Sequence, residues 1–354
     1  MQIIQDYRSL HKIPEPDNRL PKTLAWVRGR LSFLKCRLFS PTEGAICAFF
    51  DFGSDHALAF RADLDALPLT EQTDLPWASR HPGYMHACGH DGHTAILLEL
   101  ARKLHQTPQL SHNILLIFQP SEETDGGAQC LCQTGILQEY HVRAIFGLHL
   151  WPGLCAGQIF SRPGLLMAQS GGIIARFRGK SAHIAQFRQG KDGLNACIRF
   201  YQAAQQLPVP GILKFGKLTG GTAGNILCEE AVLCGSLRTL KDQTAIRQKL
   251  QQLMEKISRS TGCTGTLSIS EGYPAVFNHP GLFHRVQSCC PVQLLNQTFW
   301  TSDDFSFYQK EVPGIYFLLG VGDTPPLHSP KFWFDPALLT CGADYFYRLC
   351  TKLA

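Results

Sequence analysis

The sequence predicts an α/β protein: a mixed sheet flanked by helices, interrupted by an inserted ferredoxin-like α+β domain. Three observations carry this. Short, continuous apolar runs such as residues 113–119 and 144–150 alternate with segments of helical periodicity, as in a sheet covered on both faces. Residues 172–273 read instead as β-α-β-β-α-β, the ferredoxin-like order. A length of 354 residues exceeds one typical domain. The expected boundaries are residues 1–170 with 275–354 for the first domain and 171–274 for the insert.

Taken in order, residues 8–34 read as helical, with Leu24, Val27, Leu31 and Leu34 on one stripe. Residues 45–52 and 57–61 are apolar runs around Gly53-Ser54-Asp55 and read as paired strands. The second runs into Arg61-Ala62-Asp63-Leu64-Asp65. Residues 85–95 bring His86, Cys88, His90, Asp91 and His93 into one short stretch, with Gly89 and Gly92 permitting a tight fold. Helical spacing of Ala95, Ile96, Leu97, Leu100, Ala101 and Leu104 follows, to about His105. Residues 113–119 form a strand ending at Pro120-Ser121-Glu122-Glu123, and residues 144–150 a strand carrying His149. Asp63, Asp65, Glu122, Glu123 and His149 thus lie at or just past the carboxyl ends of strands, where open α/β sheets form ligand sites.

The insert reads as a strand at 172–179, a helix at 192–207, strands at 211–219 and 231–240, a helix at 243–258 and a strand at 265–273. The chain then returns through a polar turn at 301–306, a strand at 315–320, a loop with His328 and a closing helix at 338–353.

Composition excludes several classes. With 44 % hydrophobic and 17 % charged residues the chain is a folded globular protein. A net charge of +5 without a Lys/Arg block argues against nucleic acid as a partner. No apolar stretch reaches the eighteen residues of a membrane span. Residues 1–10 include Asp6 and Arg8 and lack an apolar core, so no signal peptide is expected. The 14 cysteines are then expected to stay reduced, in the cytoplasm. There is no Cys-x-x-Cys, which disfavours a structural zinc finger.

Thiolate, imidazole and carboxylate are ligands for zinc and its neighbours, and a thiolate favours Zn, Mn, Co or Ni over Mg or Ca. His86 and His93 read as supports at the helix start. Asp91 reads as a helix cap that also orients a histidine. Ser121 has no histidine at nucleophile-elbow spacing, and Gly179-Lys180-Ser181 lacks the leading glycine of a phosphate loop.

Together the motifs resemble the M20 metallopeptidase and amidohydrolase family, in its N-acyl-amino-acid amidohydrolase branch. The matching pieces include Arg8, His11 and Pro14-Glu15, residues 60–68, residues 85–93 and Phe118-Gln-Pro-Ser-Glu-Glu123. Others are Gly147-Leu-His149, Gly179-Lys-Ser-Ala-His183, Gly220-Gly-Thr-Ala-Gly-Asn225, Ser302-Asp-Asp-Phe305 and Leu327-His328. The resemblance implies two divalent metal ions held by Cys88, His90, Glu123, His149 and His328, with Cys88 as the bridge. It makes Asp63 and Asp65 supporting groups behind the ligands, and Glu122 the general base. It makes His183 the group that reaches the scissile carbonyl, and Asn225 and Arg238 the holders of the substrate carboxylate.

The implied activity is a metal-dependent amidohydrolase acting on N-acyl-amino acids, with a dipeptidase or carboxypeptidase as the alternative and a non-catalytic metal-binding scaffold as a third reading. A small-molecule substrate, a homodimer through the inserted domain and movement between domains go with it. Three departures bear on substrate range: Asp303 where the family usually shows Glu, no proline near Phe187, and none in residues 226–230.

Overall fold

The computed structural model describes residues 1–124 and 126–353. The chain divides into two compact units, residues 1–166, 276–297 and 303–354, and residues 167–275 with 298–302. Residues 298–302, expected in the first domain, join the second because the Ala168 amide bonds the carbonyls of Phe299 and Thr301.

The first unit opens with α1 (Gln2–His11) and α2 (Pro21–Leu31), where one helix over 8–34 was expected. Pro14 and Pro16 cannot continue a helix, and Pro21 starts the next at a position where a missing N–H costs nothing. Strands β1 (Arg37–Phe39), β2 (Ile46–Phe50) and β3 (Ala57–Asp63) follow. Next come α3 (His90–Gln106), β4 (Asn113–Gln119), α4 (Gly127–Gln133), α5 (Ile136–Glu139), β5 (Val142–Pro152) and β6 (Ile159–Ser161). Strand β7 (Gly164–Met167) leads out of the unit.

The second unit contains β8 (Gln169–Arg178), α6 (Gly193–Gln205), β9 (Gly211–Gly220), β10 (Glu230–Thr239), α7 (Thr244–Thr261) and β11 (Thr264–Ile269). The chain re-enters the first unit through β12 (Val276–Asn278), which pairs with β7. It ends with α8 (Pro280–Cys289), β13 (Gln293–Leu294), α9 (Phe305–Glu311), β14 (Gly314–Gly322) and α10 (Leu339–Lys352).

The large sheet has the order β1-β2-β4-β3-β5-β14-β6-β13. Its centre, β4-β3-β5-β14, is parallel, and every residue of β3 and β4 is buried. Two-sided burial is why these strands read as continuous apolar runs. Strands β2 and β3 are not paired, contrary to the sequence expectation. β4 lies between them, antiparallel to β2 and parallel to β3. A local hairpin lost to a crossover because α3, connecting β3 to β4, covers the sheet with Ile96, Leu97, Leu100, Ala101 and Leu104.

The second unit is a four-stranded antiparallel sheet ordered β11-β8-β10-β9, the ferredoxin-like arrangement. Along β8 burial alternates. Ile173, Ala175 and Phe177 pack on Phe200 of α6 and on Leu250, Met254 and Ile257 of α7. Gly262, with φ +67°, ends α7 in the left-handed conformation that glycine adopts without strain.

Candidate active site

Parallel strands aim their carboxyl ends one way, so β3, β4 and β5 deliver their terminal residues to one edge. The register sets Asp63 opposite Gln119. Arg61, two residues back, is opposite Gly147, two residues before His149. At this edge α3 begins. Gly89, its N-cap, has φ +85°, and a Cβ there would stand 2.9 Å from Leu150. Only glycine fits this turn, which swings Cys88 and His90 onto the strand ends.

Three groups of ligand-type atoms gather here within 4.8 Å of one another: Cys88, His90 and His149; Cys88, Glu123 and His328; and His90, Glu122 and Glu123. Cys88 belongs to the first two. Its Sγ is 3.4 Å from His149 Nε2, and His328 Nε2 is 3.0 Å from Glu123 Oε1. The five residues expected to hold metal therefore converge from β4, β5, the α3 turn and a distant loop.

The tautomers suit coordination. His90 Nδ1 bonds the Asp65 carbonyl at 2.8 Å, and His149 Nδ1 bonds the Leu150 carbonyl at 2.7 Å. Each ring is thus anchored through Nδ1, which leaves Nε2 as its ligand atom, and His90 Nε2, though buried, has no hydrogen-bond partner. His93 is committed elsewhere: Nδ1 donates to Asp63 at 2.6 Å and Nε2 accepts the Leu150 amide at 3.0 Å. His86 is buried with neither ring nitrogen hydrogen-bonded, and burial drops its pKa to about 4.

The carboxylates behind the cluster fix its backbone. Asp65 accepts the amides of Glu122 and Glu123 at 2.9 and 3.0 Å. Ser121, just before, has φ +57°, and His328 has φ +63°. Both are held in a region costly for residues with a Cβ, a strain found preferentially at functional sites. Asp91 is not the helix cap expected of it, because Gly89 holds that position. Its Oδ1 accepts the Gly92 amide, and its Oδ2 lies 2.6 Å from His11 Nδ1. The histidine it orients is His11, not a member of the cluster.

Charge is unbalanced. Burial, then Glu123, Glu122 and Asp63, push the Cys88 thiol well above its usual value. Burial, then Asp303 and Glu123, raise the Glu122 carboxyl well above 4.5. Burial would lower the His90 imidazole, but Asp63, Asp65 and Glu123 override it and raise the pKa to about 10. Beside burial, each shift includes the negative charge of the gathered carboxylates, which a bound cation would neutralise. The donor chemistry, the unpartnered buried His90 Nε2 and this negative charge together fit divalent metal.

Sequence reading did not assign a role to Arg61. It is buried in mid-strand and bonds Asp63 and Asp304 at 2.7 and 2.6 Å, with Asp303 at 3.5 Å and Gln119 at 2.8 Å. A charged residue inside an otherwise apolar strand was the available signal.

In the second unit, His183 and Asn225 are exposed and adjacent, the Ile184 amide bonding the Asn225 carbonyl at 3.0 Å. His183 Nδ1 caps a short 3-10 turn by accepting the Ala185 amide. Arg238, half-buried, bonds Ser302. The Asn225 loop enters β10 at Glu230, whereas Arg238 lies near the strand's other end. Those eight residues span about 26 Å. Asn225 and Arg238 therefore approach β10 from opposite ends.

Comparison with known proteins agrees with this geometry. An N-acetyldiaminopimelate deacetylase of Streptococcus sanguinis is 32 % identical, over 94 % of this chain and 93 % of that protein. One from Bacillus velezensis is 32 % identical over 100 % and 99 %. The solved structure of a Bacillus subtilis protein, described as a dinuclear metal-binding peptidase from the M20 family, superposes with a TM-score of 0.86. Its identity is 28 %, covering 99 % of this chain and 96 % of that one. The family profile described as Peptidase family M20/M25/M40 matches residues 59–352. The chain therefore belongs to peptidase family M20/M25/M40, and it is a metal-dependent amidohydrolase.

Proposed function

We propose that the protein hydrolyses the amide bond of N-acyl-amino acids, with two divalent ions, Glu122 as general base and a free amino acid as one product. The observation that carries this is the sharing of Cys88 between two ligand groups, Cys88/His90/His149 and Cys88/Glu123/His328. A thiolate shared by two three-residue groups would suit a pair of ions, with Cys88 available to both. Zn, Mn, Co or Ni match a donor set of one sulfur, three imidazoles and a carboxylate. When bound, such a pair acidifies water and polarises a carbonyl.

The chain's residues do the rest. Glu122 accepts the proton of the attacking water and delivers it to the leaving nitrogen, work typically worth about 10²–10⁴-fold. Asp65 holds the amides of Glu122 and Glu123, so the two carboxylates keep separate tasks. His183 donates to the oxygen that gains charge, and Arg238 and Asn225 recognise the substrate carboxylate.

Because Arg238 sits far along β10 from Asn225, a second copy supplying His183 and Asn225 is part of the proposal. The inserted unit exposes Ile184, Phe187, Ile212, Leu218 and Ile226, apolar surface suited to a homodimer. All fourteen cysteines are free, which agrees with a reducing cytoplasm. Among the described residues no helix is long and apolar enough to cross a membrane.

The relatives' names make an N-acetylated diamino diacid the first substrate to try. Metal-reconstituted protein should be assayed against N-acetyl-diaminopimelate, hippurate and simple dipeptides. Hydrolysis of acyl amides, abolished by Glu122→Ala with metal content retained, is the expected result. Turnover of dipeptides alone would favour the peptidase reading that the M20 neighbour suggests. An undiminished rate in Glu122→Ala would remove the mechanism.

A further inference from the structure

Cys289 and Cys290 are neighbours in sequence and belong to none of the ligand groups of the active site. Successive side chains point about 100° apart around a helix and to opposite faces of a strand, so adjacent cysteines ordinarily keep their sulfurs apart. Here the helix stops between them. Cys289 is the last residue of α8, and Cys290 is extended, with φ −130° and ψ 121°. This change of backbone turns both side chains the same way, and the two Sγ atoms lie 3.6 Å apart. A sulfur–sulfur bond is about 2.05 Å long, so side-chain rotations that bring the sulfurs roughly 1.6 Å closer would close it.

The two thiols differ. Cys290 is buried among core residues, and Cys289 is half-buried. Burial, then Cys289, push the Cys290 thiol up to about 12, against the pull of the Arg348 guanidinium. Cys289 Sγ donates to the Val286 carbonyl at 3.4 Å, and the same carbonyl accepts the Cys290 amide at 2.7 Å. One helix-end carbonyl thus fixes both residues of the pair. Cys289 is the thiol that a reagent in solution meets first, and Cys290 is the one held behind it.

Joining neighbours strains the bond. Consecutive Cα atoms stand about 3.8 Å apart across a trans peptide, closer than the roughly 4.4–6.8 Å of ordinary disulfides. A bond made under such strain returns easily to the dithiol, which suits a switchable pair and not a permanent bridge. Disulfides that form transiently in reducing compartments are of this kind.

We propose that Cys289 and Cys290 form a reversible redox site, oxidised by a low-molecular-weight disulfide of the glutathione class to a bond between the two neighbours. Cys289, as its thiolate, attacks one sulfur of the oxidant. A mixed disulfide forms, and the first thiolate leaves and takes up a proton from water. Cys290 then attacks Cys289 Sγ, gives up its own proton and displaces the second thiol. Two protein thiols are oxidised, and one oxidant disulfide is reduced to two thiols. Because the two sulfurs are already in contact, the second step outruns the first and the mixed disulfide does not accumulate. Nothing in this assignment depends on the substrate of the active site.

The test uses the metal-loaded full chain, equilibrated with mixtures of reduced and oxidised glutathione, quenched with acid, alkylated and cut with trypsin. Cleavage after Arg285 and Lys310 releases a peptide in which Cys289 and Cys290 are the only cysteines. By mass spectrometry this peptide should lose two hydrogen atoms, carry no glutathione and recover its mass with dithiothreitol. Cys290→Ser should trap the intermediate, with at least about tenfold more glutathione on Cys289 than in the wild type. The exposed Cys130 and Cys155 report that the oxidant is active. Glutathione on Cys289 at equal levels in the wild type and Cys290→Ser would overturn the site. So would a reduced pair when Cys130 and Cys155 carry glutathione, or a crosslink from either residue to another cysteine. Should Cys290→Ser fail to fold, the mass of the wild-type peptide decides alone.

Discussion

Cys88 Sγ and His149 Nε2 stand 3.4 Å apart across 61 residues of sequence, brought together by the α3 turn and by β5. Because Cys88 also belongs with Glu123 and His328, its loss should reach both metal positions. Cys88→Ala is expected to carry well under one equivalent of metal by elemental analysis, whereas His328→Ala keeps one. Equal metal content in the two variants would refute the bridging role.

Asp65 supports the cluster from behind: its carboxylate takes the Glu122 and Glu123 amides and lies 3.6 Å from His90 Nδ1, which its carbonyl also bonds. Asp65→Ala should still fold, but the Glu122–Glu123 segment loses both hydrogen bonds that position it. Outer partners of this kind are typically worth about 10–100-fold in metal affinity or activity. Metal titration and turnover should both fall in that range, and an unaltered affinity would show that Ser121 and its turn suffice.

Arg61 sits among three aspartates with almost no solvent. Burial, and behind it Asp303, raise the Asp304 carboxyl to about 7, despite the guanidinium beside it. Arg61→Met would leave these carboxylates buried without their cation, and breaking a buried pair from one side costs about 3–5 kcal/mol. Chemical denaturation should show that loss at neutral pH, and an undiminished midpoint would show that the aspartates are carried by their other partners.

His11 supplies a pH dependence. Burial would lower its pKa, but Asp91 and then Glu71 raise it to about 9, above the 6.5 of an unfolded chain. The folded state therefore binds the proton more tightly. The resulting stability is fully present below pH 6.5 and is lost as pH rises from there through about 9. The shift corresponds to about 3 kcal/mol. Denaturant midpoints between pH 6 and 10 should fall more steeply for the wild type than for His11→Gln. Parallel curves would show that this pair contributes nothing to the slope.

Much was legible in the sequence because it was local. Apolar runs marked β3, β4 and β5. The β-α-β-β-α-β order gave the inserted unit. The Gly89 turn announced that Cys88 and His90 open a helix. These follow from periodicity and backbone preference, which depend on near neighbours.

What only the tertiary structure decided was non-local. Whether β2 pairs with β3 or with β4 turned on where α3 packs. Asp91 turned to His11, a partner eighty positions away. His93, read as a support at the helix start, found its partners in Asp63 and the Leu150 amide. Asn225 lies in the loop before β10, and Arg238 near that strand's far end. A sequence lists which donors and charges exist. Burial and distance set which of them meet, and both are properties of the folded chain alone.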